Sequence, residues 1–412
     1  MAKSFRAHRS TTLVLLFLGG VVNFFDRVSL SVANTSVRAE LHLSATQIGW
    51  LLSAFSLAYG FAQLPLVGLL DRMGTRRVLG AGLTVWSVAQ MGTAFVWGLP
   101  SFLALRVVLG VGEAPFFPAG MRSIREWFAV ETRGRATAMM NSSQAIALAV
   151  APPVLTWWML RVGWRWMFAT LGAVGLVVAI AWVMLHRERA ETEFAETEVA
   201  ALNDEGNASV WRVLLRERVV WGMMLGWGGI NYTSWLYLAW LPGYLQGARH
   251  LSLARSGWVA ALPFVAAGVG MYVSGVWSDA RVRGGAEVRR VHRQNLLLGM
   301  MVSAASTLLV GRAGTTVEAV AGISVALFAI HFAGTSGWGY VQTVVRVEHV
   351  ASLGALQNFA GFMIASAAPV LTGAIVDRTH SFTLAFVVCS MVTLGGALSY
   401  AVLARPARLQ SV

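Results

Sequence analysis

Apolar stretches centred near residues 23, 58, 88, 112, 146, 174, 230, 266, 303, 331, 363 and 392 follow one another along almost the whole chain. Crossing the hydrocarbon core of a bilayer takes about 20 apolar residues in helical form. Inside lipid, the backbone groups of each crossing segment must be satisfied within the protein. The chain therefore reads as an all-α integral membrane protein of twelve transmembrane helices, with too little sequence left over for a soluble domain. Composition points the same way: the 412 residues are 56% hydrophobic and only 12% charged, whereas soluble domains carry about 25% charged residues.

A formal net charge of +13 would suggest a nucleic-acid partner in a soluble protein. Here its distribution is a topology signal. With both termini cytoplasmic, 23 of the 32 Lys and Arg residues fall in cytoplasmic loops and tails, 7 on the opposite face (Arg38, Arg161, Arg165, Arg249, Arg255, Arg312 and Arg378), and two, Arg27 and Arg106, inside the spans. This is the positive-inside bias of a multi-pass protein, and the basic loops also meet anionic headgroups. The expected setting is a bacterial inner membrane, with the lipid bilayer as partner and no nucleic acid. Cys389, the single cysteine, has no intrachain disulfide open to it and reads as packing. No short apolar core with a small-residue cleavage site precedes the first span, so that span is expected to be retained.

Between His186 and Arg218 the apolar pattern stops. The segment from Arg187 to Asn207 carries the acidic run Glu191, Glu193, Glu196 and Glu198 and reads as a partly helical cytoplasmic linker. It divides the chain into an N-terminal six-helix bundle (1–186), a linker (187–218) and a C-terminal six-helix bundle (219–412). The halves echo one another. After the second span comes Gly68-Leu-Leu-Asp71-Arg72-Met-Gly74-Thr-Arg76-Arg77, and after the eighth comes Gly275-Val-Trp-Ser-Asp279-Ala-Arg281-Val-Arg283-Gly284. One such loop is common; two at matching places mark a pseudo-symmetric repeat.

Four ionisable residues lie inside the spans: Asp26 and Arg27 in the first, Arg106 and Glu113 in the fourth. A charge at the bilayer centre costs about 2.5 to 3.5 kcal/mol on insertion scales, so such residues line cavities and carry function. Two acids and two bases sum to zero, the balance expected of a path that binds an anion and moves protons. Arg106 and Glu113 are seven residues apart, about 10 Å along one helical face. They share it with Leu109, Gly110 and Phe117, whose small members allow close helix approach. Arg106 is open to two readings, a functional one and a structural ion pair stapling the first and fourth helices. Burial in an apolar wall favours the protonated form of a carboxyl, which makes Glu113 the first choice of proton carrier. Asp26 and Arg27 are adjacent and point about 100° apart. The economical arrangement turns Arg27 to the central cavity, where its planar fork matches a carboxylate, and Asp26 toward the fourth helix. The alternative is a pair needed only for folding.

With these residues in place the chain resembles the major facilitators, whose two six-span halves are parallel repeats around a midplane site. In detail it resembles their anion:cation symporter family, which includes bacterial sugar-acid:proton symporters and the animal sialic acid and vesicular glutamate carriers. The likeness rests on Asn23-Phe-Phe-Asp26-Arg27-Val-Ser-Leu30-Ser31, Ser53-Ala-Phe55-x3-Tyr59-x3-Gln63-x-Pro65 and Arg106-x2-Leu-Gly110-x-Gly112-Glu113-Ala-Pro115-x2-Pro118. Glu126-Trp127-Phe128, Arg133-Gly134-Arg135-Ala136 and Asn141-x2-Gln144 continue it, and Val67 departs from it where the family loop has glycine. The resemblance implies arginine (Arg27) for the substrate carboxylate, Asp26 and Glu113 as protonation sites, and Tyr59, Gln144, Trp338 and Asn358 as substrate contacts.

The residues add to this. Tyr59 and Gln63, and Asn141 and Gln144, pair on single helical faces, and Gln357 and Asn358 lie in the eleventh span. His331, Thr335, Trp338 and Gln342 make a polar-aromatic stripe in the tenth. His331 reads either as a hydrogen-bonded packing residue or as a proton relay. Asn231, Tyr232, Trp235 and Tyr237 precede Trp240-Leu-Pro242 as a gate on the outer side. Asp71 and Arg72, with Arg76, Arg77, Arg133 and Arg135, are expected to form a cytoplasmic clasp between the halves, with Asp279 at the matching place. With both acids ionised the site is neutral; a monoanion makes it −1, one proton restores neutrality, and two make entry electrogenic, assisted by about 2.3 kcal/mol per 100 mV. The expectation is a proton-coupled importer of a small organic anion, a sugar acid such as an aldonate, aldarate or hexuronate, working by rocker-switch alternating access as a monomer. No cofactor beyond the coupling proton, no metal site, phosphate loop or nucleophile motif, and no enzymatic activity are expected. Rival readings are a proton-antiporting exporter, a carrier of aromatic carboxylates, and a membrane nutrient receptor.

Overall fold

The computed structural model describes residues 2–188, 212–346 and 349–404, so the acidic run of the linker lies outside the described residues. Every regular element described is helical. We number the α-helices α1 (Ala2–Leu41), α2 (Ala45–Gly92), α3 (Leu99–Glu113), α4 (Phe116–Trp127), α5 (Val130–Leu185), α6 (Arg218–Gly247), α7 (Leu253–Arg283), α8 (Val288–Val310), α9 (Thr316–Val344), α10 (Val350–Ala365), α11 (Ala367–Thr379) and α12 (Thr383–Val402).

Two of these helices contain two segments each. α2 is interrupted at Gly74 (φ 77°, ψ 168°) and α5 at Gly163 (φ 79°, ψ 164°), left-handed angles that glycine adopts without the steric cost other residues meet. Conversely, α3 and α4 form one segment broken after Glu113 by Ala114 and Pro115, and α10 and α11 form one broken at Ser366. Counted so, the described residues hold twelve helical segments, one at each expected centre. Eight helical stretches are long and apolar enough to cross a membrane on length and composition alone. Helix starts follow local chemistry: Ser44 with Gln47, and Thr315 with Glu318, form reciprocal capping boxes at α2 and α9.

The chain packs into two compact units. The first contains residues 2–188 with 238–261 and 369–378. Within it, α3 is wedged between the two segments of α2. A side-chain carbon on Gly110 would lie 2.5 Å from the Phe55 carbonyl, and one on Gly112 would lie 2.7 Å from the Trp86 nitrogen. Backbone thus meets backbone on both sides, the packing small residues allow when no hydrophobic drive separates helix from lipid. The same unit carries a helix cap supplied from far along the chain. The Ala45 and Thr46 amides donate to the Asp377 carboxylate at 2.9 and 2.7 Å, and the Thr46 hydroxyl donates to it at 2.6 Å. Nearby, the Trp240 indole donates to the Pro369 carbonyl at 3.2 Å and the Ser31 hydroxyl to the Ala239 carbonyl at 2.9 Å.

The second unit contains residues 212–237, 262–346, 349–368 and 379–404. Short hydroxyl contacts tie its helices: Thr233 with Thr393 at 2.6 Å, and Tyr237 donating to Thr307 at 3.0 Å. Asn295 donates to both Ser278 and Ser336. Cys389 is buried and its thiol donates to Thr233, the packing role its position suggested.

Candidate functional site

The four charged residues of the spans come together inside the first unit. The Arg27 Nε donates to Glu113 Oε2 at 2.9 Å, with both side chains buried. Three aromatic rings surround the same guanidinium: Tyr59 at 4.7 Å, Phe24 at 5.0 Å and Phe55 at 5.3 Å from ring centre to Arg27 Cζ. Phe24 is one turn before Arg27 on α1, while Phe55 and Tyr59 are one turn apart on α2. The Gly110 contact with Phe55 holds α3 against α2 at this level, so the close approach that glycine permits also places Glu113 within reach of Arg27.

The pairing differs in two respects from the sequence expectation. The ion pair between the first and fourth spans is made by Arg27, not Arg106. Arg106 begins two turns before Glu113; its guanidinium lies against the rings of Phe102 and Phe168 at 5.6 and 5.9 Å, and its Nε and Nη2 have no hydrogen-bond partner. Nor does Arg27 turn away from the fourth span while Asp26 faces it. Both acids and both bases converge on one buried region, where Asp26 neighbours Glu113 and Arg106. Arg27 Nη2, Glu113 Oε1 and both Asp26 carboxylate oxygens are fully buried without a direct hydrogen-bond partner, and the Asn23 amide lies against Glu113. Unsatisfied polar groups inside a protein are costly and uncommon, and a cluster of them marks a place built to exchange partners.

The remaining residues are placed as follows. Tyr59 is buried at the Arg27 cage, and Gln144 is half-buried on α5. In the second unit Trp338 is 45% exposed and meets the edge of Trp227 at 5.4 Å, and Asn358 is half-buried on α10. Its neighbour Gln357 is fully buried with both amide atoms unpartnered, as is the indole nitrogen of Trp227. His331 Nδ1 donates to the Leu327 carbonyl of its own helix at 3.0 Å. Asp71 has a partner within its own unit. It accepts from Arg122 at 2.6 Å within the first unit, and Arg122 also donates to Glu126 at 3.0 Å. Arg76 likewise turns inward, donating to the Val183 carbonyl at 2.9 and 2.6 Å. Arg72 and Asp279 are exposed.

Sequence reasoning missed Phe24 as the third ring of the cage, Asp377 as a helix cap, and Ser87 and Gln90 of α2. A signal for the last two was present, since they are polar residues one turn apart in an otherwise apolar span. Among the described residues no cluster of three or more His, Cys, Asp or Glu could hold a metal ion.

A family model described as Major Facilitator Superfamily matches residues 16–369. The chain is 48% identical over 405 residues to the probable L-galactonate transporter of Escherichia coli (strain K12), covering 96% of this chain and 89% of the relative. It is 30% identical over 409 residues to a probable galactarate/D-glucarate transporter of the same strain, covering 93% and 92%. With the hexuronate transporter of Bacillus subtilis (strain 168) it shares 27% over 406 residues, covering 98% and 96%. Among solved structures it is similar to a bacterial homolog of the human lysosomal transporter Spinster, with a TM-score of 0.81 at 16% identity over 97% of both chains. It is also similar to a D-xylose-proton symporter, with a TM-score of 0.74 at 14% identity over 96% of this chain and 99% of the other. These structural likenesses establish the twelve-helix fold.

Proposed function

We propose a function from one premise: the chain belongs to the Major Facilitator Superfamily. It is a membrane carrier, not an enzyme, and its cargo is a sugar-acid anion, with L-galactonate first in line, followed by aldarates and hexuronates. What supports the class is the run of sugar-acid transporters among its relatives.

One observation carries the mechanism: Arg27, the group suited to a carboxylate, is held by Glu113 at 2.9 Å. Substrate and Glu113 compete for one guanidinium. A proton on Glu113 removes the competing charge and leaves the arginine fork for the arriving anion, which ties proton binding to anion binding by simple electrostatics. Asp26 is the second protonation site. With both acids protonated and a monoanion bound, the region carries +1, and the membrane potential drives it inward. Tyr59 and Gln144, with Trp338, Asn358 and His331 of the second half, take the substrate's hydroxyls. Arg106 balances the charge of the acids. The halves alternate in access, the carrier works as a monomer in a bacterial inner membrane with both termini cytoplasmic, and protons are the only coupling species. Asp71, Arg72 and Asp279 act at the cytoplasmic ends of the bundles, Asp71 by bracing its own bundle through Arg122. The division into 1–186, 187–218 and 219–412 remains the proposed domain plan.

The test is the current across proteoliposomes with an inward proton gradient, as L-galactonate, galactarate, D-glucarate, hexuronates and an aromatic acid are added in turn. An inward positive current for a sugar acid is expected. Current only for the aromatic acid, or proton efflux on substrate entry, would replace this reading.

A further inference from the structure

The face of α1 that carries Asp26 leads away from Arg27 and toward the second segment of α2. Val22, Asp26 and Ser29 are spaced i, i+4, i+7 and so lie along one line. Both ends of that line are located. Val22 and Ser87 meet at the same point of α5, where a side-chain carbon on Gly175 would touch them both. One turn on, the Gln90 side-chain amide donates to the Ser29 hydroxyl at 3.1 Å, and Ser29 in turn donates to the Asp26 carbonyl at 2.7 Å. Asp26 stands on that line between its two contacts with α2. Asp26, Ser87 and Gln90 are fully buried, and both Asp26 carboxylate oxygens, the Ser87 hydroxyl and Gln90 Oε1 have no hydrogen-bond partner.

The charged groups near Asp26 are Glu113 and Arg106 of α3 and Arg27 of its own helix. At the level of these contacts α2 carries only neutral polar side chains, the Ser87 hydroxyl and the Gln90 amide. An amide oxygen accepts and does not donate, so Gln90 Oε1 can pair with Asp26 only when the carboxyl carries a proton.

We propose that Ser87 and Gln90 are positioning residues that receive the proton-bearing carboxyl of Asp26, forming a holding place for one proton on the α2 side of the bundle, apart from the Arg27–Glu113 pair. The chemistry is proton transfer alone: the Asp26 carboxylate takes a proton from hydronium, releasing water, and the new O–H donates to Gln90 Oε1 while Ser87 donates to the second carboxyl oxygen. The Ser29 bond occupies the Gln90 amide nitrogen and leaves its oxygen as the atom open to the carboxyl. This rests on the proton-coupled reading of the site, and it gives that site a second place for a proton, with its own polar partners but within the field of Glu113.

Gln90→Met keeps the shape and removes the acceptor; Ser87→Ala removes one oxygen atom. Each variant is tested as the full chain in proteoliposomes. Substrate exchange at fixed pH, which needs no net proton movement, is expected to stay within about twofold of wild type. The pH at which gradient-driven uptake falls to half is expected to move about one unit toward acid in Gln90→Met, the size of one lost buried hydrogen bond, and less in Ser87→Ala. A purely structural role would slow both assays together and leave the midpoint in place, and that outcome overturns the proposal. The second measurement is acid-induced infrared difference spectroscopy without substrate. The protonated-carboxyl C=O band that vanishes in Asp26→Asn should move to higher frequency in Gln90→Met or Ser87→Ala, and an unmoved band in both also overturns it. Because the infrared readout needs no transport, a shifted band in a chain whose uptake ignores pH would sink the proton-coupled reading while leaving this assignment standing.

Discussion

Replacing Glu113 by glutamine removes the charge that holds Arg27 and little of the volume. A hydrogen bond between charged groups contributes about 1.5 to 3 kcal/mol, and the Arg27–Glu113 contact is such a bond, at 2.9 Å with both partners buried. In wild type an anion must displace it to use the same guanidinium. Since each 1.4 kcal/mol is a tenfold change in affinity, Glu113→Gln should bind a sugar acid roughly 10- to 100-fold more tightly at a pH where Glu113 is ionised. The gain should fade as the pH is lowered, because protonation does to wild type what the substitution does permanently. Isothermal titration of detergent-purified protein across a pH series reads both effects. The slope of log Kd against pH should lose one proton in the variant, and proteoliposomes should show exchange without accumulation. Weaker or unchanged binding with a wild-type slope would refute the competition for Arg27, and with it the link between proton and anion.

Further expectations follow from the packing. Gly110→Ala places a carbon 2.5 Å from the Phe55 carbonyl and 3.0 Å from the Tyr59 nitrogen. Neither can give way without moving α2, so an overpacking cost of about 1 to 3 kcal/mol should appear as a lower melting temperature, with transport falling further than expression. Asp377→Ala strips the acceptor from two amides and a hydroxyl at the start of α2, at a cost of about 0.5 to 2 kcal/mol, the worth of an N-cap. In a Cys389→Ser background it should raise labelling of a cysteine at Thr46 by an impermeant thiol reagent; labelling no faster than with Asp377 intact would remove Asp377 as the cap of α2. His186, beyond the end of α5, is buried between the hydroxyls of Thr12 (3.1 Å) and Thr75 (3.3 Å) and stacked on Trp182. Burial, with Arg76 nearby, pushes its pKa down to about 4. The unfolded chain takes up this proton near pH 6.5 and the folded chain does not until about 4, so stability falls as the pH drops through that window, by roughly 2 kcal/mol at pH 5. Thermal melts at pH 7 and 5 should show this loss in wild type and a smaller one in His186→Gln.

The spans were legible because hydropathy over twenty residues averages away local detail, and the intramembrane charges because each is expensive where it stands. The partner of Glu113 was not legible. Spacing shows that Arg106 and Glu113 share a face, but which residue of α1 meets that face depends on how deeply Gly110 and Gly112 let α3 settle between the segments of α2, and that depth is a property of three helices at once. Asp377 was hidden for a related reason. A carboxylate in the last turn of a helix reads as a loop charge, and only the fold brings it to the amides of Ala45 and Thr46, more than three hundred residues away in sequence. Ser87 and Gln90 stood in the sequence as two isolated polar side chains, and their meaning came from what they face.

The three rings around Arg27 bear on timing as well as affinity. A long cation freed from its counter-ion ordinarily swings through many rotamers, and ordering it again opposes each new binding event. Against the faces of Tyr59, Phe24 and Phe55 the planar guanidinium keeps favourable contacts of its own, so it stays where Glu113 leaves it. In the proposed cycle the receptor for the next anion is thereby preorganised in the interval between partners, and a lysine at this position, lacking a flat face to lay on the rings, would have to be found afresh in every cycle.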